Sequence, residues 1–352
     1  MSAPTIADGL NCPLPIGEYD TIVLAHGGGG KLTHRLIDGV FKRHFSNPDL
    51  DRLHDGAVVD MGSGRIAMTT DGYVVSPIVF PGGTIGELAV NGTVNDLAMC
   101  GALPRYLTAS FILEEGLPMP ELDSVVASMA EAARKAGVAV VTGDTKVVPR
   151  GKADRLFITT SGVGVVPPER VIGHERVAPG DAVILSGTIA DHGMAIMSVR
   201  EGLEFESEIR SDTMALNGLV EAMFTAAPDL RFLRDPTRGG VASTLNELAA
   251  SAKLGIVIDE TAVPVDGVVR SACEILGFDP LYVANEGKLL AVTAAKDAEK
   301  VVAAMRAHPA GKHAAVIGRI TEGHPGVVVL RTAIGGERVV DMISGEQLPR
   351  IC

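Results

Sequence analysis

Aspartates recur in short motifs along the chain, and their carboxylates are the side chains best suited to chemistry. They are Asp55, Asp71, Asp96, Asp144 and Asp235. A single aspartate after a strand usually closes a turn or caps a helix. Several of them at the ends of strands offer oxygen ligands, which suit a hard ion such as Mg²⁺ together with phosphate oxygens. No group of cysteines and histidines has the spacing of a zinc site.

A run of four glycines, residues 27–30, precedes Lys31 and a helix-like stretch that ends near residue 45. The run is not a Walker A phosphate loop, because Ala25 and Leu32 occupy positions that require glycine and serine or threonine. It also lacks the GxGxxG spacing of dinucleotide-binding proteins. Two interpretations remain open: a flexible hinge, or bare backbone N–H groups that bind an anion ahead of a helix.

A few lysine and glutamate side chains near these motifs could transfer protons. Lys146 follows Asp144 and could stabilise phosphate charge or move a proton, unless it is a solvated surface lysine. Glu274, next to Cys273, could be a base or an exposed helix carboxylate. Glu286, in an Asn-Glu-Gly-Lys motif, is a further candidate.

Length and composition exclude several classes of protein. The chain has 352 residues, which suggests two domains with real hydrophobic cores. Its net charge of −12 repels phosphate backbones and anionic lipids, so we predict no nucleic-acid and no membrane partner. The four cysteines have no CxxC spacing, which predicts a reduced, cytoplasmic protein. Cys100 and Cys273 are predicted to be buried small hydrophobic residues.

Alternating strands and helices must position these residues. Residues 1–20 are proline-rich and predict a loose arm. The first half predicts a helix over 120–136 and strands over 65–75, 106–113, 138–148 and 156–166. A boundary follows near 167–179. The second half predicts strands over 182–185, 256–258, 288–292, 315–320 and 327–330, and helices over 214–226, 240–252, 268–276 and 298–308.

The order of five motifs gives this chain a resemblance to a known superfamily. The motifs are Asp55-Gly-Ala-Val-Val, Thr-Thr-Asp71-Gly, Asn95-Asp96-Leu-Ala-Met-Cys-Gly, Thr-Gly-Asp144-Thr-Lys146 and Asp235-Pro-Thr-Arg-Gly-Gly. They resemble motifs of the ATP-dependent aminoimidazole-ribotide synthetases, selenophosphate synthetases and thiamine-monophosphate kinases, over residues 25–330. The resemblance implies an α+β fold of two domains that face each other, with ATP and Mg²⁺ in the cleft. It also implies a homodimer, paired through the N-terminal domains.

The same resemblance implies roles for individual residues. The metal or phosphate-side carboxylates are Asp55, Asp71, Asp96 and Asp235. The nucleotide-binding residues are Gly27, Gly28, Gly29, Gly30, Lys31, Asn95, Asp144, Thr145, Thr237, Gly239 and Gly240, with the glycine run as a flap over the nucleotide. The implied division is an arm over 1–39, an ATP-binding and dimerisation domain over 40–167, a second α+β domain over 168–335 and a tail over 336–352.

The last four residues of the sequence, Pro-Arg-Ile-Cys, identify the branch of the superfamily. They resemble the end of the HypE family, which dehydrates a carboxamide on a terminal cysteine to a thiocyanate with ATP and so supplies cyanide to the iron of nickel–iron hydrogenase. The resemblance implies that Cys352 is catalytic, with Lys146 and Glu274 as candidates for proton handling. Arg350 is the nearby cation expected to favour the thiolate. The implied partners are a HypF-like carbamoyltransferase, which loads Cys352, and a HypC/HypD-like complex, which accepts the cyanide.

Sister enzymes and a non-catalytic scaffold are the alternatives. A selenophosphate synthetase would need a reactive N-terminal cysteine and a closely following lysine, whereas Cys12 precedes Pro-Leu-Pro and the first lysine is Lys31. A small-molecule kinase has no use for Cys352, and a nucleotide-binding scaffold has no need of several metal carboxylates. The tail is predicted to be a moving element, because it contains few apolar anchors.

Overall fold

The computed structural model of the chain describes residues 22–45, 47–203, 208–343, 348 and 350–352. The predicted loose arm over 1–20, with Cys12, lies outside these residues. In the part that the structure describes, no helix combines the length and the apolar character needed to cross a membrane.

The first domain contains a five-stranded sheet and a small hairpin. Its strands are β1 (Ala57–Asp60), β2 (Arg65–Tyr73), β3 (Val79–Phe80), β4 (Gly83–Thr84), β5 (Leu103–Glu114), β6 (Ala139–Val148) and β7 (Leu156–Val166). The sheet order is β1-β2-β7-β5-β6, and only β5 and β6 pair in parallel. Strand β6 is an edge strand whose residues from Ala139 to Val147 are all exposed.

Helix α3 (Ile85–Met99) packs on this sheet beside α4 (Met119–Ala136). All residues of α3 except Glu87 and Asp96 are buried. Gly92 allows close packing on β2, because a Cβ atom there would lie 2.3 Å from the hydroxyl oxygen of Tyr73. A helix buried on every side has no polar stripe, so its hydrophobic periodicity is weak. This explains why the sequence predicts α4 but not α3.

The second domain is a seven-stranded sheet covered by helices. Its strands are β8 (Ala182–Leu185), β9 (Phe232–Arg234), β10 (Gly255–Asp259), β11 (Leu290–Thr293), β12 (Ala315–Thr321), β13 (Val328–Arg331) and β14 (Glu337–Val340). Its helices are α5 (Asp191–Arg200), α6 (Asn217–Ala226), α7 (Gly240–Ala252), α8 (Gly267–Leu276) and α9 (Ala298–Ala307). The strand order is β14-β13-β10-β12-β8-β11-β9, mixed in direction because only β10 and β13 run parallel. Strand β14 corrects the predicted tail over 336–352, since its first part belongs to this sheet.

The two domains share buried contacts at the end of α3. Ala98 and Met99 pack in one hydrophobic cluster with residues of α6 and α9. The side chain of Asn95 accepts a hydrogen bond from the Leu216 amide at 2.7 Å and donates to the carbonyl oxygens of Met214 and Glu286. These bonds use both N–H groups of the Asn95 amide in the contact between the domains, and its nucleotide-binding role stays a prediction.

The glycine loop, residues 27–30, leads into a continuous helical stretch. Helix α1 (Lys31–Leu36) continues through a π-helical turn, Ile37–Phe41, into α2 (Lys42–Phe45). The predicted division between residues 39 and 40 therefore falls inside one helical stretch. The stretch contacts the second domain, because His34 hydrogen-bonds the Glu247 carboxylate of α7 at 3.1 Å.

Candidate functional site

Three of the predicted carboxylates meet where the two domains face each other. The ligand oxygens of Asp55, Asp96 and Asp235 all lie within 4.8 Å of one another. Asp55 precedes β1, Asp96 lies in the last turn of α3, and Asp235 follows β9. The cluster therefore needs both domains. The prediction that these carboxylates lie at strand ends is wrong for Asp96, which is helical.

Asp71 extends this carboxylate cluster along β2. It shares a hydrogen bond with Asp96 and accepts another from the Tyr73 hydroxyl at 3.2 Å. Its prediction as a strand-end residue is also inaccurate, because β2 continues to Tyr73.

Burial is the main cause of the raised pKa values in the carboxylate cluster, and repulsion between the carboxylates adds to it. Burial and the neighbouring carboxylates raise the pKa of Asp96 well above its usual range, and they raise that of Asp235 to about 7. The Oδ2 atom of Asp55 is buried without a hydrogen-bond partner. Like-charged buried carboxylates with an unpartnered oxygen fit a hard divalent cation, which would supply the missing positive charge.

Arg234 partly compensates this negative charge. Its Nε atom lies 2.5 Å from Asp55 Oδ1, and its NH2 group lies 3.0 Å from Glu247. Glu247 in turn holds His34, whose pKa it raises. The sequence motifs did not point to Arg234 and Glu247, although Arg234 directly precedes the Asp235 motif.

The C-terminal segment, of which the structure describes residues 341–343, 348 and 350–352, ends in a cavity of about 210 Å³, the thiol cavity. Its residues 350–352 run beside residues 74–76: the Val74 amide donates to an oxygen of Cys352 at 3.1 Å, and Arg350 Nε donates to the Val74 carbonyl. The Ile351 side chain is buried in a hydrophobic cluster formed mainly by the first domain, with Ile196 and Ala284 from the second. This docked position corrects the prediction that the tail has few apolar anchors.

The Cys352 thiol faces Glu286 and Arg238. Burial and the hydrogen-bonded Glu286 carboxyl raise its pKa to about 12, although the Arg238 guanidinium opposes this shift. Arg350, the cation predicted to activate the thiol, instead pairs with Asp154 at 2.5 Å. The docked thiol is therefore protonated and a poor nucleophile.

Glu286 has the environment of a base. Burial, together with the charges of Asp235, Asp212 and Asp71, raises its pKa well above the usual range. Its Oε1 atom is buried without a hydrogen-bond partner, while its backbone N–H donates to Asp212 at 3.1 Å. A carboxyl group with a raised pKa and a free oxygen can accept a proton from a neighbouring N–H group.

The glycine loop closes one side of the thiol cavity. Gly27 and Gly28 line the cavity with Gly239, and Arg238 donates to the Gly27 carbonyl at 3.1 Å. Gly29 has a positive φ of +71°, and a Cβ atom there would lie 2.9 Å from the Arg238 carbonyl. The loop thus needs glycine for close approach to Arg238.

Lys31 and Gly30 connect the glycine loop to the C-terminal segment through a hydrogen bond, an ion pair and a close backbone contact. The Lys31 amide donates to the Ile343 carbonyl at 3.1 Å, and the Lys31 ammonium pairs with Asp341 at 2.6 Å. A Cβ atom on Gly30 would lie 2.4 Å from the Ile343 carbonyl oxygen. Loop and C-terminal segment are therefore in direct contact.

A second cavity, of about 420 Å³, adjoins the carboxylate cluster. We call it the carboxylate cavity; its lining includes Gly29, Asp55, Asp235, Thr237 and Arg238. Arg238 also lines the thiol cavity, so one guanidinium borders both spaces. Gly239 and Gly240, at the start of α7, have φ values of +76° and +60°, which let the chain turn sharply after Arg238.

The other predicted residues lie elsewhere. Asp144, Thr145 and Lys146 are exposed on β6, where Lys146 pairs with Asp144 at 2.6 Å. Glu274 is exposed on α8, although Cys273 beside it is buried. The burial of Cys100 and Cys273 confirms that prediction. Glu286, not Glu274, is the glutamate that the structure places at Cys352.

The raised pKa predicts slow alkylation of the docked Cys352. A pKa of about 12 leaves far less thiolate at pH 8 than an ordinary thiol with a pKa of about 8.5 provides. We expect Cys352 to react with iodoacetamide roughly a hundredfold or more slowly than a free peptide with the sequence Leu-Pro-Arg-Ile-Cys. Peptide mass mapping separates it from the other cysteines. Equal rates and equal pH midpoints in protein and peptide would show that the thiol is not held in this cavity.

Comparisons with known proteins cover almost the whole chain. Residues 53–166 match the family model of the AIR synthase related protein N-terminal domain, and residues 178–331 match that of its C-terminal domain. A carbamoyl dehydratase HypE of Azotobacter vinelandii is 55% identical over 332 residues, which are 94% of this chain and 97% of that protein.

Solved structures agree with these sequence matches. A hydrogenase maturation protein HypE in complex with ATP is 51% identical, with a TM-score of 0.80 over 94% of this chain and 100% of the other. A HypE–HypF complex contains a chain 47% identical, with a TM-score of 0.84 over 88% of this chain and 99% of the other.

Proposed function

Because this chain belongs to the HypE family of carbamoyl dehydratases, we propose that it converts a carboxamide carried on Cys352 into a thiocyanate, using ATP and Mg²⁺. The predicted family, the two-domain α+β fold and the enzyme class are confirmed by the comparisons. They do not favour a selenophosphate synthetase, a small-molecule kinase or a scaffold. The observation that carries the residue assignment is the Cys352 thiol held against Glu286, close to the carboxylate cluster.

The chemistry requires removal of an amide oxygen, which is a poor leaving group. In the first step, Glu286 accepts one N–H proton of the carboxamide on Cys352, and the amide oxygen bonds to the terminal phosphorus of ATP while the bond to ADP breaks. In the second step, the remaining N–H proton goes to the departing phosphate, the carbon–oxygen bond breaks and the nitrile forms. The unpartnered Glu286 Oε1 atom suits the first step, since a carboxamide on Cys352 places N–H groups beside it.

The two cavities suggest where the reactants lie. The phosphates of ATP would occupy the carboxylate cavity, with Thr237 and the glycine loop in its wall. Asp55, Asp96 and Asp235 would hold Mg²⁺, with Asp71 beside them, and the ion would neutralise phosphate charge. Arg238, which borders both cavities, would orient the terminal phosphate toward the amide oxygen.

The docked thiol implies that loading happens with the C-terminal segment outside the cavity. A thiol held in this cavity with a pKa of about 12 cannot attack a carbamoyl donor readily. A HypF-like carbamoyltransferase would therefore load Cys352 on the released segment, and a HypC/HypD-like complex would collect the cyanide after a second release. The HypE–HypF complex among the related structures supports the first of these partners.

The edge strand β6 supports a homodimer. It is ten residues long, and Val140, Val141 and Val147 on it are exposed. A long apolar edge strand is a template for pairing with another chain, and a symmetric dimer would cover it. Asp144, Thr145 and Lys146 lie on this strand, so their predicted roles at the nucleotide would depend on the second subunit.

The role of Cys352 is tested by mass spectrometry after incubation with a carbamoyltransferase, carbamoyl phosphate and ATP. We expect one carboxamide adduct on the peptide that contains Cys352, and its complete loss in Cys352→Ser. Cys273→Ser is the matched control, since its thiol is buried on α8 and does not line the thiol cavity, and it should accept the adduct normally. An adduct that survives in Cys352→Ser would refute the assignment of the carrier.

A further inference from the structure

A buried histidine contacts the backbone of the C-terminal segment one residue before the thiol. His192 lies in the first turn of α5 and is completely buried. Its Nε2 atom donates to the Ile351 carbonyl at 2.7 Å, and its Nδ1 atom lies 2.8 Å from the Ser211 hydroxyl. Burial lowers the pKa of His192, so the imidazole is neutral and carries its proton on Nε2.

Ser211 fixes this arrangement from the other side. The Thr213 amide donates to the Ser211 hydroxyl oxygen at 3.1 Å, and the Ser211 amide donates to the Pro81 carbonyl at 2.8 Å. The hydroxyl proton of Ser211 is then directed to Nδ1 of His192, which holds the Nε2–H group toward Ile351. The imidazole is thus oriented before the C-terminal segment arrives.

The neighbouring carbonyl groups of the segment are bound by other elements. The Arg350 carbonyl accepts from the Ser76 amide at 3.3 Å and from the Arg200 guanidinium. An oxygen of Cys352 accepts from the Val74 amide. The Arg350 carbonyl and the Cys352 oxygen therefore face residues 74–76, whereas the Ile351 carbonyl between them is bound by His192.

We propose that His192 is a positioning residue that sets the register of the docked C-terminal segment, so that a group carried on Cys352 lies against Glu286. A slip by one residue would place other backbone groups opposite His192 and Val74, so both the bond to the Ile351 carbonyl and the bond to the Cys352 oxygen would be lost. His192 touches neither the thiol nor the phosphates, and it acts only through Ile351. This inference rests on the proposed function for its effect on rate, but its effect on docking is independent of turnover.

Two amide substitutions distinguish this role from a structural one. The Gln side-chain N–H can take the place of His Nε2–H and reach Ile351, whereas the shorter Asn side chain can replace only Nδ1, beside Ser211. We expect His192→Asn to raise the alkylation rate of Cys352 about tenfold and to lower single-turnover dehydration of the preloaded protein to a similar degree. His192→Gln should stay within about threefold of the natural protein in both measurements. Affinity for ATP should not change in either variant.

Ser198→Ala is the matched control, because it removes a buried hydrogen bond in the same helix, from Ser198 to the Met194 carbonyl, without touching the C-terminal segment. It should leave the alkylation rate unchanged. The proposal would be overturned if His192→Gln and His192→Asn lost the dehydration rate equally. It would also be overturned if the alkylation rate of Cys352 did not increase in His192→Asn. Increased alkylation in His192→Asn, with no dehydration even by the natural protein, would refute the proposed function instead and leave the docking role standing.

Discussion

Glu286→Gln will slow thiocyanate formation on Cys352 by at least about a hundredfold, while ATP still binds. The substitution keeps the size of the side chain but removes the group that accepts the amide proton, and general-base catalysis is typically worth roughly a hundredfold to ten-thousandfold. The measurement is a single turnover of the preloaded protein, followed by mass spectrometry of the C-terminal peptide.

Glu274→Gln is the matched control, because Glu274 is exposed on α8. It should dehydrate the carboxamide at the natural rate. If Glu286→Gln retained its rate and Glu274→Gln lost it, the assignment of the base would be reversed. Alkylation of Cys352 should still be slow in Glu286→Gln, because burial is the main cause of the raised thiol pKa.

Asp96→Asn will stabilise the metal-free protein and cripple turnover. Desolvation and the neighbouring carboxylates raise the pKa of the half-buried Asp96, so its ionised form destabilises the fold. A group whose pKa is raised by folding costs stability above its ordinary pKa, so the gain from Asn should be larger at pH 8 than at pH 5. We expect Tm to rise by roughly 2–4 °C or more at pH 8. Turnover should fall by on the order of a hundredfold or more, because electrostatic stabilisation dominates phosphoryl transfer.

Mg²⁺ titration separates the two effects of Asp96→Asn. Mg²⁺ with ATP should raise Tm of the natural protein, since a ligand that binds only the folded state stabilises it, and should raise it far less in the variant. Asp123→Asn is the matched control, because Asp123 is exposed on α4 and lies outside the carboxylate cluster; this variant should keep the metal response. An undiminished Mg²⁺ response in Asp96→Asn would exclude this carboxylate as a ligand.

Periodic segments of the chain could be predicted well. The strands over 156–166 and 182–185 and the helix over 240–252 coincide with β7, β8 and α7. Helix α3 could not be predicted, because full burial removes the alternation of polar and apolar faces on which such predictions depend. That omission also explains why Asp96 was expected at a strand end.

The docked position of the C-terminal segment could not be predicted from the sequence for a different reason. Its few apolar residues predicted freedom, yet Ile343 and Ile351 are both buried in the structure. Their partners are far away in the sequence: residues 74–76 for the last three residues and Lys31 for Ile343. Backbone pairing of this kind has no side-chain pattern, so single-sequence reasoning cannot detect it.

The site itself was predictable in part. The motifs pointed to Asp55 and Asp235, which meet from different domains. Spacing could not choose between Glu274 and Glu286, because adjacency to a cysteine in sequence says nothing about adjacency to Cys352 in space. The same reason explains why Arg350 was expected at the thiol, where the structure places Arg238.

The central claim is that ATP activates the amide oxygen of a carboxamide on Cys352. It is tested most directly by loading Cys352 with a carboxamide that carries a heavy isotope of oxygen and following one turnover with unlabelled ATP and water. Transfer of the amide oxygen to phosphorus predicts that the label appears in the released inorganic phosphate, in equal amount to the thiocyanate formed. Thiocyanate formed with the label in water, and with unlabelled phosphate, would contradict the account.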